Sequence, residues 1–204
     1  MIKNIIFDWS GVIKDAAKLQ LVLINKIFVA LNHREISMEE MLNNWEQPHM
    51  GFYNKYLPNL TMEEQAVLYK KFILEEKTPD SYPGVVDLIK KMKNLGKILI
   101  VISSDLPDTI LPEVEKYGLT GVFNEVVYGV EYKEPSVSEL IERNNYNLEE
   151  TVFVGDSNCE IEVGKKIGIK TCAVTWGLVS EERLKKLNPD FLARNVKELE
   201  EALR

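Results

Sequence analysis

Three apolar runs in this 204-residue chain stop at polar groups: Phe7 is followed by Asp8, Ile102 by Ser103-Ser104-Asp105, and Val154 by Gly155-Asp156-Ser157. A lysine, Lys133, lies between the last two. If the runs are parallel strands of one sheet, their C-terminal ends meet in a single crevice. That crevice would hold two aspartates, a hydroxyl, free backbone N–H groups and an ammonium. Two carboxylates at one edge can hold Mg²⁺, a hard cation that takes oxygen ligands. A carboxylate can also attack phosphorus and form an acyl phosphate. Repulsion between two anions blocks that attack unless cations neutralise them, and Mg²⁺ with Lys133 would do so. The Ser103 hydroxyl and the Ser104 N–H can bind phosphate oxygens. Asp156 and Glu160 are four apart and share a helix face if a helix begins at once.

The elements that must position these groups follow from the apolar pattern. Ile5-Ile6-Phe7 reads as a buried strand. Between about 16 and 78 the pattern is helical: Leu19, Val22, Leu23, Ile27, Ala30 and Leu31 recur at helix spacing, and further helices are predicted near 37–45, 49–56 and 61–76. Thr61 and Glu64 have capping-box spacing. Tyr82-Pro83-Gly84 breaks the chain, and Val85, Leu88, Ile89, Met92 and Leu95 make an amphipathic helix stopped by Gly96. Strands at 98–102, 123–128, 151–154, 170–174 and, at an edge, 190–193 then alternate with helices at 108–117 (carrying Pro112), 136–144, 158–167, 180–187 and 196–203. Such alternation predicts an α/β fold, a Rossmann-like parallel sheet with helices on both faces. The expected organisation is one α/β core domain, residues 1–15 and 80–204, interrupted by a small all-helical domain at 16–79. An insert leaving just after the first strand would lie over the strand ends as a lid.

The chain is 45% hydrophobic, enough for one α/β core and a small accessory domain. Its formal net charge of −7 and lack of a basic run disfavour nucleic-acid binding. Cys159 and Cys172 form no CxxC pair and suit reduced thiols. The first residues lack a signal-peptide layout, and no apolar run approaches a membrane span, so a cytoplasmic protein without membrane contact is expected.

The segment Phe7-Asp8-Trp9-Ser10-Gly11-Val12-Ile13 resembles the first motif of the haloacid dehalogenase (HAD) superfamily, DxDGT or DxDGV. Val101-Ile102-Ser103-Ser104 resembles the second, Lys133-Glu134-Pro135 the third, and Val154-Gly155-Asp156-Ser157-Asn158-Cys159-Glu160 the fourth, GDxxxD or GDxxxE. Tyr82-Pro83-Gly84-Val85 is similar to the segment that re-enters the core after a helical cap. The resemblance implies a Mg²⁺-dependent hydrolase, phosphatase-like, acting on a small phosphorylated metabolite such as a sugar or organic-acid phosphate, as a monomer or homodimer. It implies that Asp8 is nucleophile and metal ligand, that Asp156 and the Ser10 carbonyl also ligate, and that Glu160 ligates or stands just outside. Ser103, Ser104 and Gly11 would then meet phosphate, and Lys133 would tie phosphate to Asp8.

Ser10 departs from the family pattern. Most HAD phosphatases place there an aspartate that protonates the leaving group and then activates water. A hydroxyl is a poor acid and base near neutral pH. Three readings stay open. The protein is a phosphatase like those with FDLGGV-like motifs. Or it cleaves another bond, as do phosphonoacetaldehyde hydrolases, whose FDWAGT-like motif is similar to Phe7–Gly11 and whose cap lysine forms a Schiff base, a role open to Lys55 beside Met50-Gly51. Or it binds phosphate with little turnover, as a regulatory protein. Trp45, Gln47, His49, Tyr53 and Lys55 are the candidate specificity residues of the cap. Lys14 and Asp15 read as hinge residues, Asp105 and Asp108 as helix-start or loop acids, and Trp9 as a packing residue.

Overall fold

The computed structural model describes residues 1–204. Six strands form one parallel sheet: β1 (Asn4–Phe7), β2 (Ile98–Ile102), β3 (Glu125–Val127), β4 (Thr151–Gly155), β5 (Lys170–Val174) and β6 (Phe191–Ala193), in the order β3-β2-β1-β4-β5-β6. β1 pairs with β2 on one side and β4 on the other, Phe7 lying level with Val101 and Val154, so the chain leaves all three strands at the same edge. The chemistry-bearing residues after them meet for that reason.

The strands are apolar throughout because both faces are covered. Alternate residues go to opposite sides. Ile5, Phe7, Leu99, Val101, Val152 and Val154 pack against α5 (Val85–Asn94), α6 (Pro107–Lys116) and α10 (Val196–Ala202). Ile6, Ile100, Ile102 and Phe153 pack against α7 (Lys133–Asn144) and α8 (Asn158–Ile167). The fold is thus a Rossmann-like α/β sheet with helices on both faces, and α9 (Glu181–Lys186) completes it.

Between β1 and α5 lie four helices: α1 (Ala17–Ala30), α2 (Met38–Asn44), α3 (His49–Tyr56) and α4 (Met62–Ile73). Ser37 caps α2, and Thr61 with Glu64 closes a reciprocal capping box on α4. The outgoing and returning chains run side by side. The Asp15 N–H donates to the Asp80 carbonyl at 3.0 Å, the Tyr82 N–H to the Ile13 carbonyl at 2.7 Å, and Lys14 pairs antiparallel with Ser81. The apolar interior of these helices, with Ile24, Ile27, Phe28, Met41 and Phe52, runs on without a break into Ile161, Leu178, Val179 and Leu184 of the α/β layer. Polar contacts join the two as well. The Gln47 N–H donates to Asn158 Oδ1 and Asn158 Nδ2 donates to the Gln47 carbonyl, both at 3.1 Å. No helix is long and apolar enough to cross a membrane.

Local differences from the sequence expectations have physical causes. The strand expected at 123–128 is only 125–127, because the Asn124 side chain accepts from the Leu99 N–H and turns the entering chain. The helix expected at 136–144 begins at Lys133, since Pro135 in the first turn lacks only an N–H that would have no helical partner. In α1 the buried face is Leu23, Ile24, Ile27 and Phe28, while Val22 is exposed, because that helix packs on its three neighbours and not on the sheet. Leu95 caps α5 and is exposed.

Candidate active site

Asp8 follows β1 directly, and the chain then coils tightly: the Trp9 carbonyl accepts from the N–H groups of Ile13 at 2.9 Å and Lys14 at 3.0 Å. The turn needs Gly11, which has φ +88°, and a Cβ there would stand 2.1 Å from Asp156 Oδ2. Gly177 closes on the same carboxylate from the other side, where a Cβ would come within 2.2 Å of Asp156 Oδ2. The Asp156 carboxylate is therefore gripped between two backbones that leave no room for a side chain.

Asp8, Asp156, Glu160 and Lys133 are all buried at the edge of β1 and β4. Lys133 Nζ lies 2.7 Å from Asp8 Oδ1 and 2.6 Å from Glu160 Oε1. Glu160 Oε2 accepts from the Ser157 hydroxyl at 2.7 Å and its N–H at 3.2 Å, which closes the capping box of α8. Both Glu160 oxygens are thereby engaged. Asp156 precedes the cap residue Ser157, so it sits before α8 and not on one helix face with Glu160, as the spacing had predicted. Asp156 Oδ2 accepts from the Leu178 N–H at 2.6 Å, whereas Oδ1 is buried with no partner. One oxygen from each of Asp8, Asp156 and Glu160 lies within 4.8 Å of the others.

The electrostatics follow from three buried carboxylates around one ammonium. Burial pushes the Asp8 carboxyl up to about 7; Lys133 pulls the other way and Glu160 adds to the rise. Burial, then Asp8 and Glu160, raise Asp156 well above the usual carboxylate range. Glu160 stays low although buried, because Lys133 holds it. Burial works against the Lys133 ammonium, but Asp8 and Glu160 outweigh it and its value is raised. A surplus of buried negative charge and an orphaned carboxylate oxygen suit a divalent cation with oxygen ligands.

A second buried network flanks Asp8 on the β2 side. The Ser10 hydroxyl donates to Asp105 Oδ2 at 2.7 Å, and the Ser103 hydroxyl donates to the same oxygen at 3.0 Å. Lys14 Nζ lies 2.8 Å from Glu113 Oε1 and 3.9 Å from Asp105 Oδ1. The Trp9 indole N–H donates to Glu113 Oε2 at 2.6 Å. Lys14, expected as a hinge residue, is thus also a buried cation, and Asp105, expected as a helix-start or loop acid, is bonded to two candidate site hydroxyls. Glu113 escaped sequence reading. Its place on the buried face of α6, three residues after Ile110 and beside Val114, is the signal that could have found it.

The cap candidates divide. Trp45 is buried in the apolar interior, its ring 5.2 Å from Phe52, so it packs. Gln47 is fastened to Asn158. Tyr53 is fully buried with its hydroxyl unpartnered, and the His49 ring stands perpendicular to it at 6.2 Å. Lys55 is exposed, 2.9 Å from Glu46 and 3.2 Å from the Asn44 carbonyl. A Schiff-base lysine needs a desolvated, easily neutralised amine. Lys55 is solvated and paired because Phe52 and Tyr53 take the inner face of α3 and leave it outside. Ser104 is exposed, and Ser103 and Gly11 are beside the two networks.

The family model for haloacid dehalogenase-like hydrolases matches residues 5–174. A phosphoglycolate phosphatase of Aquifex aeolicus is 28% identical, over 92% of this chain and 90% of its own length. Pyrophosphatase PpaX of Halalkalibacterium halodurans is 24% identical, over 89% and 95% respectively. Among solved structures, a predicted phosphatase from Clostridium acetobutylicum superposes with a TM-score of 0.84 at 19% identity, covering 100% of this chain and 98% of its own. A haloacid dehalogenase-like family hydrolase from Streptococcus pneumoniae gives 0.80 at 16% identity, covering 100% and 99%.

Proposed function

The chain belongs to the haloacid dehalogenase-like hydrolases, and on that premise we propose that it is a cytoplasmic, Mg²⁺-dependent phosphatase hydrolysing the monoester of a small metabolite, with Asp8 as nucleophile. One observation carries the reading: Asp8, tied to Lys133 at 2.7 Å, faces a buried Asp156 whose Oδ1 has no partner. That is an arrangement short of one cation and ready for an anion. The relatives named for phosphoglycolate and pyrophosphate also support phosphoryl chemistry.

Asp8 and Asp156, with the Ser10 carbonyl, would hold the metal, which when bound would neutralise the carboxylates and the incoming phosphate. An Asp8 oxygen attacks phosphorus and the bond to the leaving-group oxygen breaks. Water then attacks phosphorus, the bond to Asp8 breaks, and the carboxylate is restored. Lys133 stays cationic and offsets charge on the transferring group. The Ser103 hydroxyl turns from Asp105 towards a phosphate oxygen. Protons move at Ser10 Oγ, whose bond to Asp105 joins a weakly acidic hydroxyl to a carboxylate. The pair stands in for the aspartate missing at residue 10. Residues 16–79 act as the cap that excludes water while the ester is bound.

A panel of phosphomonoesters with and without Mg²⁺ tests this. Turnover should need the metal and fall about 10³-fold or more in Asp8→Asn. Hydrolysis undiminished by that substitution would end the reading. A wild type that hydrolyses nothing, yet is stabilised by BeF₃⁻, would make it a phosphate-dependent binding protein instead.

A further inference from the structure

The loop after Asp8 and the two acids on the β2 side close a ring of side chains. Trp9 Nε1 donates to Glu113 Oε2 at 2.6 Å, and Glu113 Oε1 lies 2.8 Å from Lys14 Nζ. Lys14 Nζ lies 3.9 Å from Asp105 Oδ1, and Asp105 Oδ2 accepts from the Ser10 hydroxyl at 2.7 Å. The ring starts and ends on neighbouring residues, 9 and 10, directly after the candidate nucleophile. Its backbone frame is fixed. Lys14 pairs with Ser10 on one side and Ser81 on the other, and its N–H donates to the Trp9 carbonyl at 3.0 Å. The Asp105 N–H donates to Ser103 Oγ at 3.1 Å, and its carbonyl accepts from the Gly129 N–H at 2.8 Å.

Within that frame the side chains differ. Those of Lys14 and Glu113 are each 3% exposed and that of Asp105 is 12% exposed, so Asp105 is the charged member closest to open solvent. Trp9 anchors the dry end: its ring stacks on Tyr117 with centroids 5.7 Å apart and meets Phe123 edge-on at 6.3 Å. The Asp105 carboxylate is the soft part of the ring. The last torsion of an aspartate is broad, and the hydroxyls of Ser10 and Ser103 on Oδ2 can rotate with it. The ammonium facing Oδ1 is the one fixed charge beside it, and a buried charge is little screened. Stability is a poor account of this lysine, since a buried ion pair adds little over an apolar pair of the same size.

Resting on the phosphatase reading, we propose that Lys14 is a positioning residue: its ammonium turns the Asp105 carboxylate so that Oδ2 faces the Ser10 hydroxyl, and Glu113, anchored by Trp9, holds the ammonium in place. The test removes the charge without stranding a partner. In the double variant Lys14→Met, Glu113→Gln the new amide oxygen still accepts from Trp9, and no buried charge is left alone. Melting curves report folding, and kcat and KM are measured at saturating Mg²⁺ with a phosphomonoester hydrolysed in an Asp8-dependent way. The kcat should fall about tenfold with KM unchanged, since a misaimed group slows the step without weakening binding. Lys14→Gln, which keeps a donor towards Glu113 but no charge, should lose kcat likewise, whether or not the double variant folds. In an Asp105→Asn background Lys14→Gln should cost nothing further, because it acts through that carboxylate. A folded charge-free variant with wild-type kcat, a loss confined to KM, or the full tenfold repeated in the Asp105→Asn background overturns the proposal while leaving the phosphatase intact. If the wild type hydrolyses no phosphomonoester in an Asp8-dependent way, the phosphatase reading itself falls, and this one with it.

Discussion

Two buried ion networks flank the end of β1, and they are built on opposite principles. On the β4 side, Asp8 and Glu160 share one ammonium, and Asp156 beside them has an unpartnered Oδ1. On the β2 side, Lys14 is closed by Glu113, whose other oxygen is taken by the Trp9 indole, and Asp105 accepts two hydroxyls. The first network leaves a buried carboxylate oxygen without a partner in the folded chain, the gap that the proposed cation would fill. The second is nearly complete and holds its members in place. Buried charge alone therefore does not mark chemistry; unsatisfied buried charge does.

The contrast can be broken at several points. The largest effect is expected on stability. Glu113→Ala strands the buried Lys14 ammonium and should cost about 3–5 kcal/mol in denaturant unfolding, as for a broken buried pair. A loss below about 1 kcal/mol would mean that this network is no scaffold. Next, Asp105→Asn should lower kcat by about 10²-fold, the small end of general acid–base contributions, with Tm little changed. An unaltered rate would remove Ser10 and Asp105 from proton handling.

Metal addition sharpens the comparison from the other side. Saturating Mg²⁺ at about 100 times its Kd should stabilise the protein by about 2.7 kcal/mol, and Asp156→Asn should abolish the shift. The shift should depend on pH. Asp8 is raised to about 7 and Asp156 is raised too, so between about pH 4 and 7 the folded, metal-free state keeps protons that the unfolded chain has lost. Their contribution to metal-free stability falls as pH rises through that window, and the Mg²⁺ shift grows. Melting curves in EDTA and in Mg²⁺ at pH 5, 6 and 7.5 measure it; a shift independent of pH would mean that the cation does not displace these protons. The smallest effect is expected for Ser10→Asp alone. It places a second carboxylate against Asp105, so kcat should change by less than about tenfold, whereas the same change in an Asp105→Asn background should restore turnover.

Much of this was legible beforehand because apolar runs and their polar ends are local features. Phe7-Asp8 and Val154-Gly155-Asp156 announce both a strand and where it stops. What sequence cannot show is pairing across distance. Lys14 and Glu113 are 99 positions apart, and each taken alone looks like a surface residue. The buried face of α1 is hidden from sequence for a related reason: Val22 and Leu23 are both apolar, and only the partners of the helix decide which one turns inward. Lys55 stands near a Met-Gly pair, but Phe52 and Tyr53 take the inner face of α3 and leave the lysine outside.

Leu178 connects events that a list of site residues would keep separate. Its side chain belongs to the apolar cluster shared by the insert and the sheet, while its N–H holds Asp156 Oδ2 at 2.6 Å. It acts as a crank between them. If the helices rock to admit a substrate, that motion would pull on the residue that aims the carboxylate, so loosening the insert's seating should also weaken binding of the proposed cation.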